Sequence, residues 1–382
     1  MTKQATLNHI GYLDGLRGIA ALWVMVGHIL STYGKFPPIV SWTSLAVDIF
    51  ILLSGFLMVR QVTAREIHEP LDLPQTWLTF WLRRLFRLAP LYYTVFFIVT
   101  LCEQYNNGFD GSFRYSAWDS IHTANNQFTL YVFSHITFLF GLSPELHKSA
   151  SSLPDWSISL EMQFYAVFPF LMLLGRRIGW LKLAAIVAAI CLASDLIFAS
   201  FLHQFTLPSI LVLKLHIFMG GMLIALASQR RDLKLLYLLA AIALMILPIW
   251  GSDGFKLGLD RALICFGFGL LALGDQIKAP SSVSWAISQI SQILGKRPFV
   301  VLADLSYGVY LIHYSIIIVW SRLTGPNAPL SSVNNLVVAL IIIPIIAYGL
   351  AGIARRAIEL PSIELGRRVI RRYRNLLLAE AH

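Results

Sequence analysis

Ten mostly apolar stretches, each near the ~20 residues that a helix needs to cross a bilayer, alternate with short polar segments along the chain. They run at 12–33, 44–60, 88–104, 156–174, 179–201, 209–228, 234–250, 258–275, 298–321 and 333–354. This pattern predicts an all-α membrane protein, a bundle of about ten transmembrane helices forming one domain over 1–382. It shows no internal repeat and no second soluble domain. A further apolar run, 128–142 (FTLYVFSHITFLFGL), is too short to span. It reads as a buried or interfacial part of a long outer loop, 105–155. That loop is polar and aromatic, which suits an acceptor entry site, although a structural cap over the bundle would look the same. Segment 282–296 has apolar residues at helical spacing and is expected to lie along the inner interface.

Charge fixes the expected orientation. With both termini in the cytoplasm, most of the 30 Lys and Arg fall on the cytoplasmic side, as the positive-inside rule requires. The basic, amphipathic tail 355–382 then rests on anionic membrane lipids. The formal charge of +10 is explained this way and calls for no nucleic acid. A content of 57% hydrophobic and 13% charged residues excludes an ordinary soluble domain. The first stretch is long and lacks a small-residue cleavage site, so a multi-pass protein of a bacterial cytoplasmic (inner) membrane is expected, without a cleavable signal. Cys102, Cys191 and Cys265 lie in apolar segments and read as small buried hydrophobes. No histidine has metal-ligand spacing with a carboxylate partner, so no metal is expected.

The first stretch, YLDGLRGIAALWVMVGHILSTY, carries Asp14, Arg17 and His28. Ionisable groups at membrane depth are costly and mark functional sites. Eleven residues apart, Arg17 and His28 lie within ~20° of one helix face and ~16 Å apart along the axis. Asp14, one turn from Arg17, is its expected ion-pair partner. His28, Asp48, Glu161 and His313 come from four spans and share the outer half of the bilayer. Ser157, Glu161 and Tyr165 form one stripe on their helix; Ser306, Tyr310 and His313 form another. Ser54 and Gly55 are read as small residues that let helices approach.

A second group gathers at the inner side. The segment WLRRLFRLAPLYY places Arg83, Arg84 and Arg87 at the cytoplasmic start of span three, near the depth of Arg17. Guanidinium groups suit phosphate, so a polyphosphate-bearing cytosolic ligand is expected there, though anchoring to the inner surface would need the same residues. Together the two groups suit a transferase using a long phosphorylated carrier. His28 would be the general base that deprotonates a hydroxyl, with Asp48 or Glu161 orienting its imidazole.

The same residues carry a resemblance. YLDGLRGIAALWVMVGH, AVDIFILLSGFL, RRLFRLAPLYY, WSISLEMQFYAVFP, LSYGVYLIH and AIELP, in this order, resemble the acyltransferase family 3 integral-membrane O-acyltransferases. The resemblance implies transfer of an acyl group, usually acetyl from acetyl-CoA, to a sugar hydroxyl of O-antigen, exopolysaccharide, peptidoglycan or a similar glycan. It implies His28 as catalytic residue with Arg17, and Arg84 and Arg87 as the cytoplasmic arginine motif. Some relatives carry an extracytoplasmic hydrolase-like domain. None is expected here, so a partner transferase would supply it, or transfer is direct. Two other readings use the same polar residues: a proton-coupled transporter or flippase, with His and carboxylates as a relay, and a non-catalytic polysaccharide-assembly subunit.

Overall fold

The computed structural model describes residues 11–40, 42–106, 125–146, 153–229, 232–249, 254–276, 280–325 and 330–380. Those residues are mostly helical, and no strand occurs among them. The helices are α1 (Gly11–Thr32), α2 (Thr43–Arg65), α3 (Pro74–Asn106), α4 (Asn125–Ile136), α5 (Trp156–Ile178), α6 (Trp180–Ile197), α7 (Leu215–Gln229), α8 (Lys234–Met245), α9 (Gly254–Leu273), α10 (Ser281–Leu294), α11 (Arg297–Thr324), α12 (Leu336–Ala354) and α13 (Leu360–Glu380).

Among the described residues, seven helical segments are long and apolar enough to cross a membrane: α1, α2, α3, α5, α6, α11 and the rod that begins with α12. The other three expected spans coincide with α7, α8 and α9; α7 and α8 are apolar but have only 15 and 12 residues. Span three was expected over 88–104. Instead α3 is one continuous helix of 33 residues, so Arg83, Arg84 and Arg87 lie inside it rather than in a loop leading to it. The tail is also helical: α12 passes through a π-turn at Arg355–Glu359 directly into α13. Cys191 and Cys265 are buried as expected, but Cys102 is exposed near the end of α3.

Two long pairings organise the bundle: α1 runs along α11, and α2 along α7. Close approach in the second pair depends on missing side chains. A Cβ on Gly55 would collide with the Phe218 carbonyl oxygen, and one on Gly221 with the Leu52 carbonyl oxygen. Small residues at such crossings let backbones meet where lipid gives no hydrophobic drive between helices.

Of the apolar run 128–142, α4 takes the first part, a helix of 12 residues, far shorter than a span. It buries Tyr131, Ser134 and His135 and leaves Leu130 and Phe133 outward. His135 stacks between Phe96 and Phe140, at 4.8 and 4.2 Å between ring centroids. Residues 107–124 of the expected loop lie outside the described residues. Helix α10 lies against α1 through Leu294 and exposes Val283, Trp285, Ile290 and Ile293, the amphipathic pattern expected for 282–296. At one end of the bundle Arg176 clasps Glu66, with Nη1 to Oε1 at 2.8 Å. That hydrogen bond holds the Glu66 carboxyl below its ordinary range.

Candidate active site

A cavity with about 860 Å³ of open space lies between α1, α2, α3, α5 and α11. Its wall includes Arg17, Ser54, Arg84, Arg87, Glu161 and Tyr310. Each side chain gets there through helical periodicity. Ser157, Glu161 and Tyr165 face it from α5 at intervals of four, and Ser306 and Tyr310 from α11.

The cations in this cavity differ in what holds them. Arg84 is 6% exposed, lies over the rings of Phe80 and Tyr165 at 5.6 Å each, and donates to Gln61. Arg17 and Arg87 line the cavity with no hydrogen bond or ion pair of their own among the described residues. The expected Asp14–Arg17 pair is thus not a direct contact, although Asp14 lies near enough to act electrostatically on Arg17. Arg83 points elsewhere: it grips Glu69 bidentately, with Nη1 to Oε2 at 2.7 Å, and does not line this cavity.

Glu161 is the carboxylate of the cavity. Ser54 Oγ donates to it at 2.9 Å, and the Tyr165 hydroxyl donates to the same oxygen. Ser54 thus has a polar task that its reading as a mere small residue missed. The Tyr310 and Ser157 hydroxyls are bonded at 2.7 Å. Ser306 Oγ is turned back to the carbonyl of Ala303, at 2.7 Å.

Beyond Tyr310, one turn along α11, stands His313, fully buried, and its partner is His28. Nδ1 of His28 lies 2.9 Å from Nε2 of His313, and the two rings stack at 5.2 Å. Tyr314 closes on His28 edge-to-face at 5.3 Å. His313 Nδ1 faces two carbonyls, those of Tyr310 at 2.7 Å and Val309 at 3.0 Å. Carbonyls only accept, so the network assigns a proton to His313 Nδ1 and leaves its Nε2 as acceptor. His28 then donates from Nδ1, and its Nε2 keeps the lone pair.

This arrangement corrects the expectation of a carboxylate beside His28. Asp48 is 4% exposed and both its oxygens are taken: Lys214 Nζ reaches Oδ1 at 2.6 Å and Arg261 Nε reaches Oδ2 at 2.6 Å. Glu161 bonds to Ser54 and Tyr165, among the arginines. Lys214 and Arg261 are themselves buried, at 3% and 4% exposure. Reasoning from the sequence also passed over Asp155, buried and accepting from the Tyr92 hydroxyl at 2.9 Å. Arg355 pairs with Asp304 at 2.9 Å, and Glu359 Oε1 is buried with no hydrogen-bond partner among the described residues. Among the described residues, no group of three His, Cys, Asp or Glu could hold a metal ion.

The family described as "Acyltransferase domain" matches residues 10–353. The chain is similar to the peptidoglycan O-acetyltransferase OatA of Listeria monocytogenes, 23% identical over 85% of this chain and 53% of that protein. It is likewise similar to the O-acetyltransferase OatA of Staphylococcus aureus, 22% identical over 83% of this chain and 52% of that protein. The chain thus spans about half the length of these curated relatives. No solved structure matches it significantly.

Proposed function

The chain belongs to the acyltransferase domain family, and from that premise we propose that it is an integral-membrane O-acetyltransferase with acetyl-CoA as cytoplasmic donor. Its acceptor in this reading is a sugar hydroxyl of peptidoglycan or a related extracytoplasmic or lipid-linked glycan. The names of the relatives support the acceptor class. One observation supports the donor: Arg17 and Arg87, two guanidinium groups with no hydrogen bond or ion pair among the described residues, face a cavity on the same helices, α1 and α11 among them, that hold His28 against His313.

The donor supplies an activated acetyl thioester. Arg17, Arg84 and Arg87 hold its phosphates at the inner mouth, since guanidinium forks match phosphate oxygens. Glu161 keeps the arginine set from self-repulsion, and Ser54 and Tyr165 fix Glu161. The Nε2 of His28 takes the proton from the acceptor hydroxyl as its oxygen attacks the acetyl carbonyl. The C–S bond breaks, and the imidazolium returns the proton to the departing sulfur. An ester and a free thiol result, with atoms and protons balanced. His313 fixes the His28 ring and tautomer and touches neither reactant. Asp48 stands outside the reaction and balances Lys214 and Arg261. The remaining polar groups, Ser157 and Tyr310, are bonded to each other on the cavity wall, and Tyr310 stands one turn from His313 on α11.

The test is mass spectrometry of host surface glycans from cells with no copy, wild type and His28→Ala. An ester-sized mass on one glycan, present with wild type and missing in the other two, is expected. Persistence of that mass in His28→Ala would overturn the role given to His28. No change even without the gene would overturn glycan acetylation itself.

A further inference from the structure

The family match ends at residue 353, yet the chain continues into α13, which packs back on α3. The contact is close: Gly366 lies so near Phe86 that an added Cβ would meet the Phe86 Cβ at 2.7 Å, and Ile370 is 6% exposed beside it. Phe86 stands between Arg84 and Arg87, so α13 is seated directly on the arginine segment. Arg367, Arg371 and Arg374, at i, i+4 and i+7, share one face of α13.

That face borders a second, larger and open cleft, about 2020 Å³ with the solvent space it takes in, between α13, α3 and the end of α2. The two cavities share Gln61, Arg84 and Arg87 and so form one path. Seven arginines line the larger one against two glutamates. The glutamates do not balance them. Arg83 and Arg374 share Glu69, at 2.7 and 3.2 Å, and Glu364 is shared by Arg367 at 3.4 Å and Arg368 at 3.5 Å. Arg65, Arg87 and Arg371 have no ion pair among the described residues. Clustered cations facing one another on low-dielectric walls repel, and a polyanion between them relieves the repulsion.

We propose that α13 forms the outer wall of this vestibule and that Arg367, Arg371 and Arg374 bind the nucleotide phosphates of the acyl donor, a 3′-phosphorylated adenosine diphosphate. The proposal rests on the acetyl-CoA reading above. Lipid headgroups offer the same phosphate chemistry, but α13 meets lipid with a different face. Arg368 and Arg372 lie on the adjoining side, toward exposed Leu365, Val369 and Leu376, and Arg371 stands at the border of the two. In this proposal the vestibule side of α13 serves the donor and the adjoining Arg368–Arg372 side serves the membrane.

The experiment uses the full chain in phosphatidylcholine nanodiscs, with thermal melting to verify folding; the substituted arginines are exposed and should leave the fold intact. Acetyl-CoA saturation and displacement of labelled acetyl-CoA by adenosine 3′,5′-bisphosphate are measured for wild type, R367Q/R371Q/R374Q and R368Q/R372Q. The inward triple variant is expected to raise the donor KM about tenfold or more, with kcat within about twofold, since charge-assisted phosphate contacts are among the stronger hydrogen bonds. It should weaken displacement in parallel, while the outward pair changes neither. Donor KM within about twofold of wild type in the inward triple would overturn the proposal. If that triple instead loses only binding to phosphatidylglycerol vesicles, the vestibule belongs to lipid and the proposal also fails. Wild type that binds no acetyl-CoA would overturn the donor reading itself, which a selective null in the triple would not.

Discussion

His28 of α1 and His313 of α11 share a 2.9 Å hydrogen bond between rings that lie within 8° of parallel. The two carbonyls on His313 Nδ1 make the pair directional. A proton sits on His28 Nδ1, and the lone pair of His28 Nε2 is left for chemistry. In the proposed mechanism a neutral imidazole does the orienting task that a carboxylate does in hydrolase triads, without placing a second charge in the membrane.

Removing the base and removing its support should therefore differ. His28→Ala should lower kcat by about 10²–10⁴, the usual range for a general base. His313→Gln keeps an acceptor oxygen for His28 Nδ1–H and should retain more activity than His313→Leu, which cannot accept. Steady-state acetyl transfer by the three purified variants checks this. Equal loss in His313→Gln and His313→Leu would mean that His313 acts by packing alone.

The neighbouring arginines should separate in the same assay. Arg87 lines the cavity with no hydrogen bond or ion pair among the described residues, while Arg83 is spent on Glu69. Arg87→Gln should raise the donor KM about tenfold or more. Arg83→Gln should change it less and mainly loosen the segment around Glu69, read as a lower melting temperature. A larger KM effect for Arg83→Gln would reverse the assignment.

Periodicity and charge made part of this legible. The helical stretches, the short 128–142 run and the cavity stripe Ser157–Glu161–Tyr165 follow from spacing within one helix. Partners across helices did not. His28 and His313 are 285 positions apart, and Asp48 and Arg261 are 213 apart. Nothing in local sequence says which of several buried polar groups meet. Counting depth along each span put Asp48, Glu161, His28 and His313 at one level. Rotation about each helix axis then sorted them into an ion triad, a cavity carboxylate and an imidazole pair. The length of α3 was hidden for another reason: its first turns carry Arg83, Arg84 and Arg87, which lower hydropathy without breaking a helix.

The buried triad yields a stability prediction. Asp48→Asn leaves Lys214 and Arg261 facing each other without a counter-charge. Breaking a buried ion pair from one side costs ~3–5 kcal/mol, so a clear fall in melting temperature and folded yield is expected. Lys214→Met in the Asp48→Asn background removes one stranded cation and should recover part of the loss. Thermal melting in detergent, with size-exclusion profiles, measures both. A double variant no better than Asp48→Asn would show that the charges are not coupled.

Two glycines test the α2–α7 crossing against an internal control. Gly221 meets the Leu52 carbonyl and the Phe56 amide, both backbone atoms that cannot rotate away. Gly221→Leu must push α7 off α2, and overpacking of this kind costs ~1–3 kcal/mol or more. Gly267, on α9, has nothing within 4 Å of an added Cβ. There Ala should be neutral or stabilising by up to ~1 kcal/mol, the helix-propensity difference between the two residues. Melting curves of Gly221→Leu and Gly267→Ala should therefore move in opposite directions or leave only the second unchanged. A tolerated Gly221→Leu would mean that the α2–α7 backbones do not meet as closely as the fold requires.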